Sequence, residues 1–290
     1  MKHLFLFVFV LMIFSCAPNG EQASDNTSED QPASVETTTA TDAMLAMKRQ
    51  EGDLPGQTKT LSDALKENFD GGYDEKAVDV FTNVMVNFPS EEQIQSFVPV
   101  FLSMAKDKES IESFYTGTLT AFVTKYPQHE FSSTVGSVKT ISETLENKAE
   151  LINNPNFNRF SVEDAKDYIE MSEGYMIVSP RDPVAGAQIV KAGNQAKSIR
   201  GYAAKAVVLY DWLLRMQPDH PKAGQALFLK AFTYDNELNK KDQAKKLYAE
   251  FIKKYPDDDF ADDAQLLLDN IGKTNQEFYE SIVKKKGEKE

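Results

Sequence analysis

The chain is poor in the residues that usually carry catalysis or metal binding. Its 290 residues include one cysteine, three histidines and one tryptophan. A single cysteine excludes an intramolecular disulfide, a zinc site built from thiolates and a dithiol redox motif. Basic residues are also in deficit, 32 against 45 acidic ones, which gives a formal net charge of −13. This deficit argues against nucleic-acid binding and against electrostatic adhesion to an anionic membrane.

The longest apolar run stands at the beginning of the chain, where Leu4–Phe14 follows the basic residue Lys2. Its 11 residues would form a helix of about 16 Å, whereas roughly 20 residues are needed to cross a bilayer core. The run ends in the segment Ile13–Cys16, which reads Ile-Phe-Ser-Cys and resembles the lipobox of bacterial lipoproteins. This resemblance implies a signal peptide over residues 1–15 and a covalent lipid on the thiol of Cys16.

Residues 16–42 contain no aromatic side chain and are rich in serine, threonine and acidic residues. Such a composition buries too little apolar surface to offset the entropy lost on folding, so we predict a disordered, lipid-anchored tether. The lipoprotein resemblance also bears on location, because in the best-known sorting rule an aspartate after the cysteine retains a lipoprotein in the inner membrane. Ala17 at that position favours the outer membrane, and we expect the chain on its periplasmic face.

Prolines recur at a regular interval in the remaining part of the chain, residues 43–290. They stand at Pro89, Pro127, Pro180, Pro218 and Pro256. Three of the four intervals are 38 residues long, and the central one, at 53, exceeds them by 15. A fixed period of this length is typical of a repeat array. We therefore predict five repeats ending near these prolines, with an insertion near residues 150–161.

The residues before each proline share an apolar pattern. Counting back 12, 9, 8, 5 and 4 positions gives an apolar residue in every repeat, with Thr118 and Ser172 as the two exceptions. Spacings of three and four place these positions on one face of an α-helix, and each proline ends its helix because it has no N–H to donate. Small residues recur with the same period in the helices that follow the last three prolines, as at Ala185, Ala223 and Ala261. We therefore predict an all-α array of antiparallel helix pairs, closed by capping helices over residues 257–286.

Three of the repeats resemble the tetratricopeptide repeat. In that helix-turn-helix unit a small residue of the second helix is followed by a large one four positions later and by a proline eight positions after that. The matching triplets are Ala77, Phe81 and Pro89; Ala206, Tyr210 and Pro218; and Ala244, Tyr248 and Pro256. The resemblance implies a right-handed α-solenoid. The other two repeats carry Tyr115 and Tyr168 in place of the alanine, so we expect them to be divergent.

Residues 223–272 carry the more specific resemblance. They are similar to the repeats of two groups of envelope proteins: the lipoprotein subunit of the outer-membrane β-barrel assembly machine, and the Tol-Pal-associated coordinator of envelope constriction during cell division. Both groups act by binding other proteins. The resemblance implies a similar role here without distinguishing between the two.

No group of residues indicates an active site. His129 and His220 each follow a repeat-ending proline, where a loop position explains them better than catalysis. The acidic run Asp257–Asp263 lacks the glycine and the glutamate of a calcium-binding loop, whereas aspartates at a helix start cap free N–H groups. We therefore predict a non-enzymatic protein with no metal and no cofactor other than the lipid on Cys16.

If the chain acts by binding, the tetratricopeptide resemblance implies the face lined by the first helix of each repeat. The candidate groove consists of polar residues on two successive first helices: Gln188, Lys191, Gln195, Ser198, Lys230, Thr233, Tyr234 and Glu237. The predicted function is a lipid-anchored adaptor that binds envelope proteins or a peptide segment of one, in outer-membrane assembly or in envelope and wall maintenance. Glycan or peptidoglycan binding is the alternative. That function needs exposed aromatic platforms, and the aromatic residues here mostly occupy the apolar positions.

Overall fold

The computed structural model describes residues 39–46, 53–87, 90–152, 160–273 and 276–277. Several predicted features lie outside these residues and stay predictions: the signal peptide, Cys16, the tether up to residue 38, Pro89, residues 153–159 of the insertion and nearly all of the cap beyond residue 273.

Within the described residues the chain is all-α, with 13 α-helices, one 3₁₀ turn at Glu109–Ile111 and no β-strand. The helices are α1 Ala40–Ala46, α2 Leu54–Asp70, α3 Asp74–Asn87, α4 Glu91–Ala105, α5 Glu112–Lys125, α6 Glu130–Ser133, α7 Ile141–Ile152, α8 Val162–Val178, α9 Pro183–Ser198, α10 Ala203–Met216, α11 Ala223–Asn236, α12 Lys241–Lys254 and α13 Ala261–Asn270. The prediction of an all-α repeat solenoid is confirmed. None of the described helices is both long enough and apolar enough to cross a membrane.

The first helix starts earlier than predicted. Residues 16–42 were expected to form the tether, but α1 begins at Ala40. Thr41 is buried, and both its backbone N–H and its hydroxyl donate to Oε2 of Glu67 on α2. The last residues of the predicted tether are therefore part of the fold, because Thr41 finds polar partners inside it.

The helices form five pairs, α2–α3, α4–α5, α7–α8, α9–α10 and α11–α12, followed by α13. The second helix of each pair carries the apolar pattern that precedes a proline. None of those pattern positions is exposed, so the face predicted from the spacing is the buried face. The hydroxyls of the two polar exceptions, Thr118 and Ser172, each donate to the carbonyl oxygen four residues earlier in the same helix.

Side chains at several helix starts replace missing intrahelical bonds. Ser90 accepts from the N–H of Gln93 at the start of α4, and Ser161 accepts from the N–H of Asp164 at the start of α8. Asp182 caps α9 in the same way, and Pro183 occupies the first position of that helix. A hydroxyl or carboxylate oxygen at this position satisfies an N–H that has no partner within the helix.

The connections lengthen in the middle of the array. Elsewhere at most six residues separate one pair from the next, whereas α5 ends at Lys125 and α7 begins at Ile141. The short helix α6 lies inside this connection. A second lengthened connection joins α7 to α8, between Ile152 and Val162.

The central helices also pack differently. Along its length α5 contacts α8 more extensively than any other two described helices contact each other, although one is in the second pair and the other in the third. A Cβ atom added at Gly117 of α5 would overlap the backbone of Met171, and one added at Gly174 of α8 would lie 2.5 Å from the backbone nitrogen of Thr118. We call this contact the glycine seam. It brings two second helices together almost backbone to backbone.

Candidate partner-binding surfaces

The predicted groove residues of α9 do not all face outward. Lys191 and Ser198 are exposed and Gln195 is partly exposed. Gln188 is only 8% exposed, and its side-chain oxygen accepts a hydrogen bond from the hydroxyl of Tyr168 on α8. Gln188 is therefore part of the contact between α8 and α9 and does not line an open groove.

The structure departs further from the prediction for the groove residues of α11. Thr233 is fully buried, and its hydroxyl donates to the carbonyl oxygen of Leu229 at 2.7 Å. Nζ of Lys230 lies 2.5 Å from Oδ1 of Asp211, so this lysine turns towards α10. Tyr234 is partly exposed, and Glu237 is exposed just after the helix. The polar spacing predicts an open face, but Thr233 is satisfied inside its own helix and Lys230 by the neighbouring helix.

The more open side of α11 carries Gln225, Leu229, Phe232 and Asn236, spaced by four, three and four residues. Phe232 meets α9 here, because Nζ of Lys197 lies 4.8 Å from the centroid of its ring. Burial lowers the pKa of Lys197, and the charge of Glu237 opposes that change. Sequence reasoning missed Lys197 and Phe232, since one is a lysine outside the polar stripe and the other is an aromatic residue expected in the core.

A cavity of about 630 Å³ lies on the first helices of the first two pairs, between α2, α4 and α6. Ser62 of α2 contributes to one side, and Pro99, Val100 and Met104 of α4 contribute to another. The third wall comes from α6 and includes Phe131. The lining is mainly apolar and hydroxyl-bearing, and its ionisable members are His129 and Glu130.

The wall formed by α6 is held by specific contacts with the end of α5. The hydroxyl of Ser132 donates to the carbonyl oxygen of Tyr126 at 2.7 Å. Nδ1 of His129 accepts from the N–H of Phe131 at 3.1 Å, and the rings of Phe131 and Phe122 meet edge to face. His129 is thus a helix-capping residue. The sequence did not indicate that the residues of this cavity lie close together. The insertion was predicted near residues 150–161, whereas α6 lies in the long connection between α5 and α7.

Catalytic or metal-binding geometry is not apparent on these surfaces. Across the described ranges, no three His, Cys, Asp or Glu side chains come together in an arrangement that could hold a metal ion. The ring of His220 is engaged in the turn before α11, where Nδ1 accepts from the N–H of Lys222 at 3.0 Å. The arrangement offers surfaces for noncovalent contact.

Comparison with known proteins adds one finding. Residues 225–258 match the tetratricopeptide repeat family, and this segment covers most of α11, all of α12 and Pro256. The chain therefore contains a tetratricopeptide repeat, a module of adaptors and scaffolds that bind other proteins. No curated protein and no solved structure matches the chain.

Proposed function

We propose that this chain is a non-enzymatic scaffold, anchored by a lipid on Cys16 at the periplasmic face of a bacterial outer membrane, that holds a segment of a partner envelope protein. The observation that carries the binding role is the cavity between α2, α4 and α6, which lies in an array containing a tetratricopeptide repeat. The two roles suggested by the resemblance, outer-membrane assembly and envelope or wall maintenance, share this mechanism.

The cavity suits the insertion of side chains from a peptide segment. Binding pockets of a few hundred cubic ångströms with apolar walls and a few polar groups release water when filled and fix orientation through hydrogen bonds. Val100, Met104 and Phe131 supply the apolar walls, while Ser62 and Ser103 supply hydroxyl groups. Binding would continue along the first-helix side of the array to the exposed residues of α9, Lys191 and Ser198.

Site-specific photocrosslinking in cells tests the binding role. A photoreactive phenylalanine analogue is placed at Ser103 in the cavity, at Lys191 on α9 and, as the control, at Lys246, which is exposed on the second helix α12. We expect one partner protein to be crosslinked from Ser103 and Lys191 but not from Lys246. Crosslinks from Lys246 alone, or no position-dependent crosslink, would contradict the assignment.

The anchor has a separate test. The support for it is the segment Ile13–Cys16 at the end of the apolar run. Metabolic labelling with palmitate is expected to mark the wild-type chain, and the Cys16→Ser variant is expected to remain an unlabelled precursor. Equal labelling of both chains would refute the lipid attachment and leave the binding role standing.

Glycan binding is not favoured by the described residues. The exposed large aromatic side chains among them are Tyr73 and Phe260. The ring of Phe260 stacks on Phe228 at a centroid distance of 4.9 Å, so one of its faces is covered. Retention of the purified chain on peptidoglycan, without any crosslinked protein, would reverse this preference.

A further inference from the structure

A second cavity, of about 210 Å³, lies where α3, α8 and α10 approach one another. Carboxyl groups from two of these helices line it: Glu75 of α3, and Glu170 and Glu173 of α8. Lys205 of α10 lines it as well. Charged side chains of the first, third and fourth helix pairs therefore meet at this cavity. It is separate from the surfaces assigned to partner binding.

The two lysines that line this cavity are already engaged by other groups. Nζ of Lys205 lies 2.6 Å from Oε1 of Glu173, and Glu173 is only 4% exposed. Nζ of Lys166 lies 5.1 Å from the ring centroid of Tyr202. Glu170 forms no hydrogen bond and no ion pair with any other described residue. Its partly buried carboxyl group therefore lacks a counter-charge of its own.

The surroundings of Glu170 disfavour its ionised form. Burial, together with the negative charges of Glu173 and Asp167, raises the pKa of Glu170 to about 7. Lys205 opposes this change, and Glu75 adds to it. Burial also raises the pKa of Glu173, although Lys205 opposes this. The charged groups around the cavity are Glu75 and Asp79 on α3, Lys166, Asp167, Glu170 and Glu173 on α8, and Lys205 on α10.

We propose that this cavity is a pH-sensitive contact of the array: with Glu170 protonated, the side chains of α3 and α10 stay close to those of α8 around the cavity, and with Glu170 ionised, these helices separate more readily. The sign follows from proton linkage. A pKa raised above the ordinary value of 4.5 means that the packed state binds the proton more tightly than an open state in which the carboxyl group is hydrated. The stabilising contribution is complete below about pH 4.5 and is lost as the pH rises through about 7.

Hydrogen exchange of the full-length chain measures this opening. Backbone amides of α3, α8 and α10 are followed at pH 6 and pH 8.5 and corrected for the intrinsic exchange rate. With a pKa of about 7 in the packed state and 4.5 in the open state, the linkage relation gives an opening constant about tenfold larger at pH 8.5 than at pH 6. Amides of α12, which is remote in sequence from the cavity, are the internal reference.

Two variants and one titration complete the test. Glu170→Gln keeps the size of the side chain but removes this titratable group, so most of the tenfold change is expected to be lost, and the remainder reports Glu173, whose pKa burial also raises. Glu250→Gln on the exposed side of α12 is expected to retain the tenfold change. A carbon-13 titration of the Glu170 carboxyl in the wild-type chain is expected to have its midpoint near pH 7. A midpoint near 4.5, or an unchanged pH dependence in Glu170→Gln, would overturn the proposal.

Discussion

The C-terminal helix pairs and the central helix pairs use different small residues where their helices pack together. In α9 to α12 each helix packs on the next one along the chain, and alanines such as Ala206 and Ala244 are fully buried at the pattern position. In the centre, Tyr168 takes the place of the alanine, and the close approach moves to Gly117 and Gly174 between α5 and α8. In the centre, the departure from the repeat pattern therefore coincides with two helices that pack out of sequence order.

The ion pairs of the two regions can be compared by the burial of their carboxylates. At the C-terminal end Lys230 pairs with Asp211, whose side chain is 47% exposed, so water shares the interaction. In the centre the side chain of Glu173 is 6% exposed and depends on Lys205. A buried carboxylate loses hydration that only a close cation can replace. The C-terminal region has a buried carboxylate of the same kind, since Oδ1 of Asp235, on a side chain 8% exposed, lies 2.5 Å from Nζ of Lys241. The contrast in charge therefore lies between buried and exposed carboxylates, and the glycine seam is what distinguishes the centre.

The glycine seam gives the largest expected effect. Gly117→Ala places a methyl group against the backbone of Met171, which cannot rotate away, so α5 and α8 must separate. We expect a loss of about 2 to 3 kcal/mol in the free energy of unfolding, measured by urea denaturation.

The matched control for the seam is Gly224→Ala in α11. The added methyl group meets a side-chain oxygen of Asp258 at 3.1 Å, and that side chain can turn away. Since alanine favours a helix over glycine by up to about 1 kcal/mol, this variant is expected to be neutral or slightly stabilised. Equal losses in both variants would remove the distinction between the two regions.

The buried ion pair gives an intermediate effect. Lys205→Met leaves Glu173 without its cation, and we expect about 2 kcal/mol of destabilisation at pH 8, less than a fully buried pair would lose because the lysine is itself partly exposed. Lys230→Met removes a similar pair near the surface and is expected to cost less than about 1 kcal/mol. The comparison fails if the surface variant loses as much as the central one in the same denaturation experiment.

Helix capping gives the smallest effect. Ser161→Ala removes the oxygen that accepts from the N–H of Asp164 at the start of α8, and we expect a loss of about 1 kcal/mol. At the start of α12, Lys240 forms no side-chain capping bond, so Lys240→Ala should change stability by less than about 0.5 kcal/mol. Thermal unfolding followed by circular dichroism measures the stability of both variants. If Lys240→Ala loses as much stability as Ser161→Ala, the cap of α8 makes no specific contribution.

Much of the fold could be predicted from local sequence features. The spacing of apolar residues before each proline identified the buried face of every second helix, and the prolines identified where those helices end. These features act within one helix, because a period of three to four residues describes a single face. The candidate groove was less predictable. Polar spacing on α11 could not show that Lys230 turns to Asp211 or that the hydroxyl of Thr233 is satisfied by its own helix.

The sequence by itself determined an all-α repeat array, the faces that its helices bury and the residues at which they end, since each of these depends on interactions between neighbours along the chain. Only the tertiary structure decided that α5 packs on α8, that α6 completes the cavity with α2 and α4, and that Glu170 has no ion-pair partner in the part of the chain that the structure describes. These features depend on residues that are distant in sequence and become neighbours in space, and no spacing pattern within one helix records such contacts.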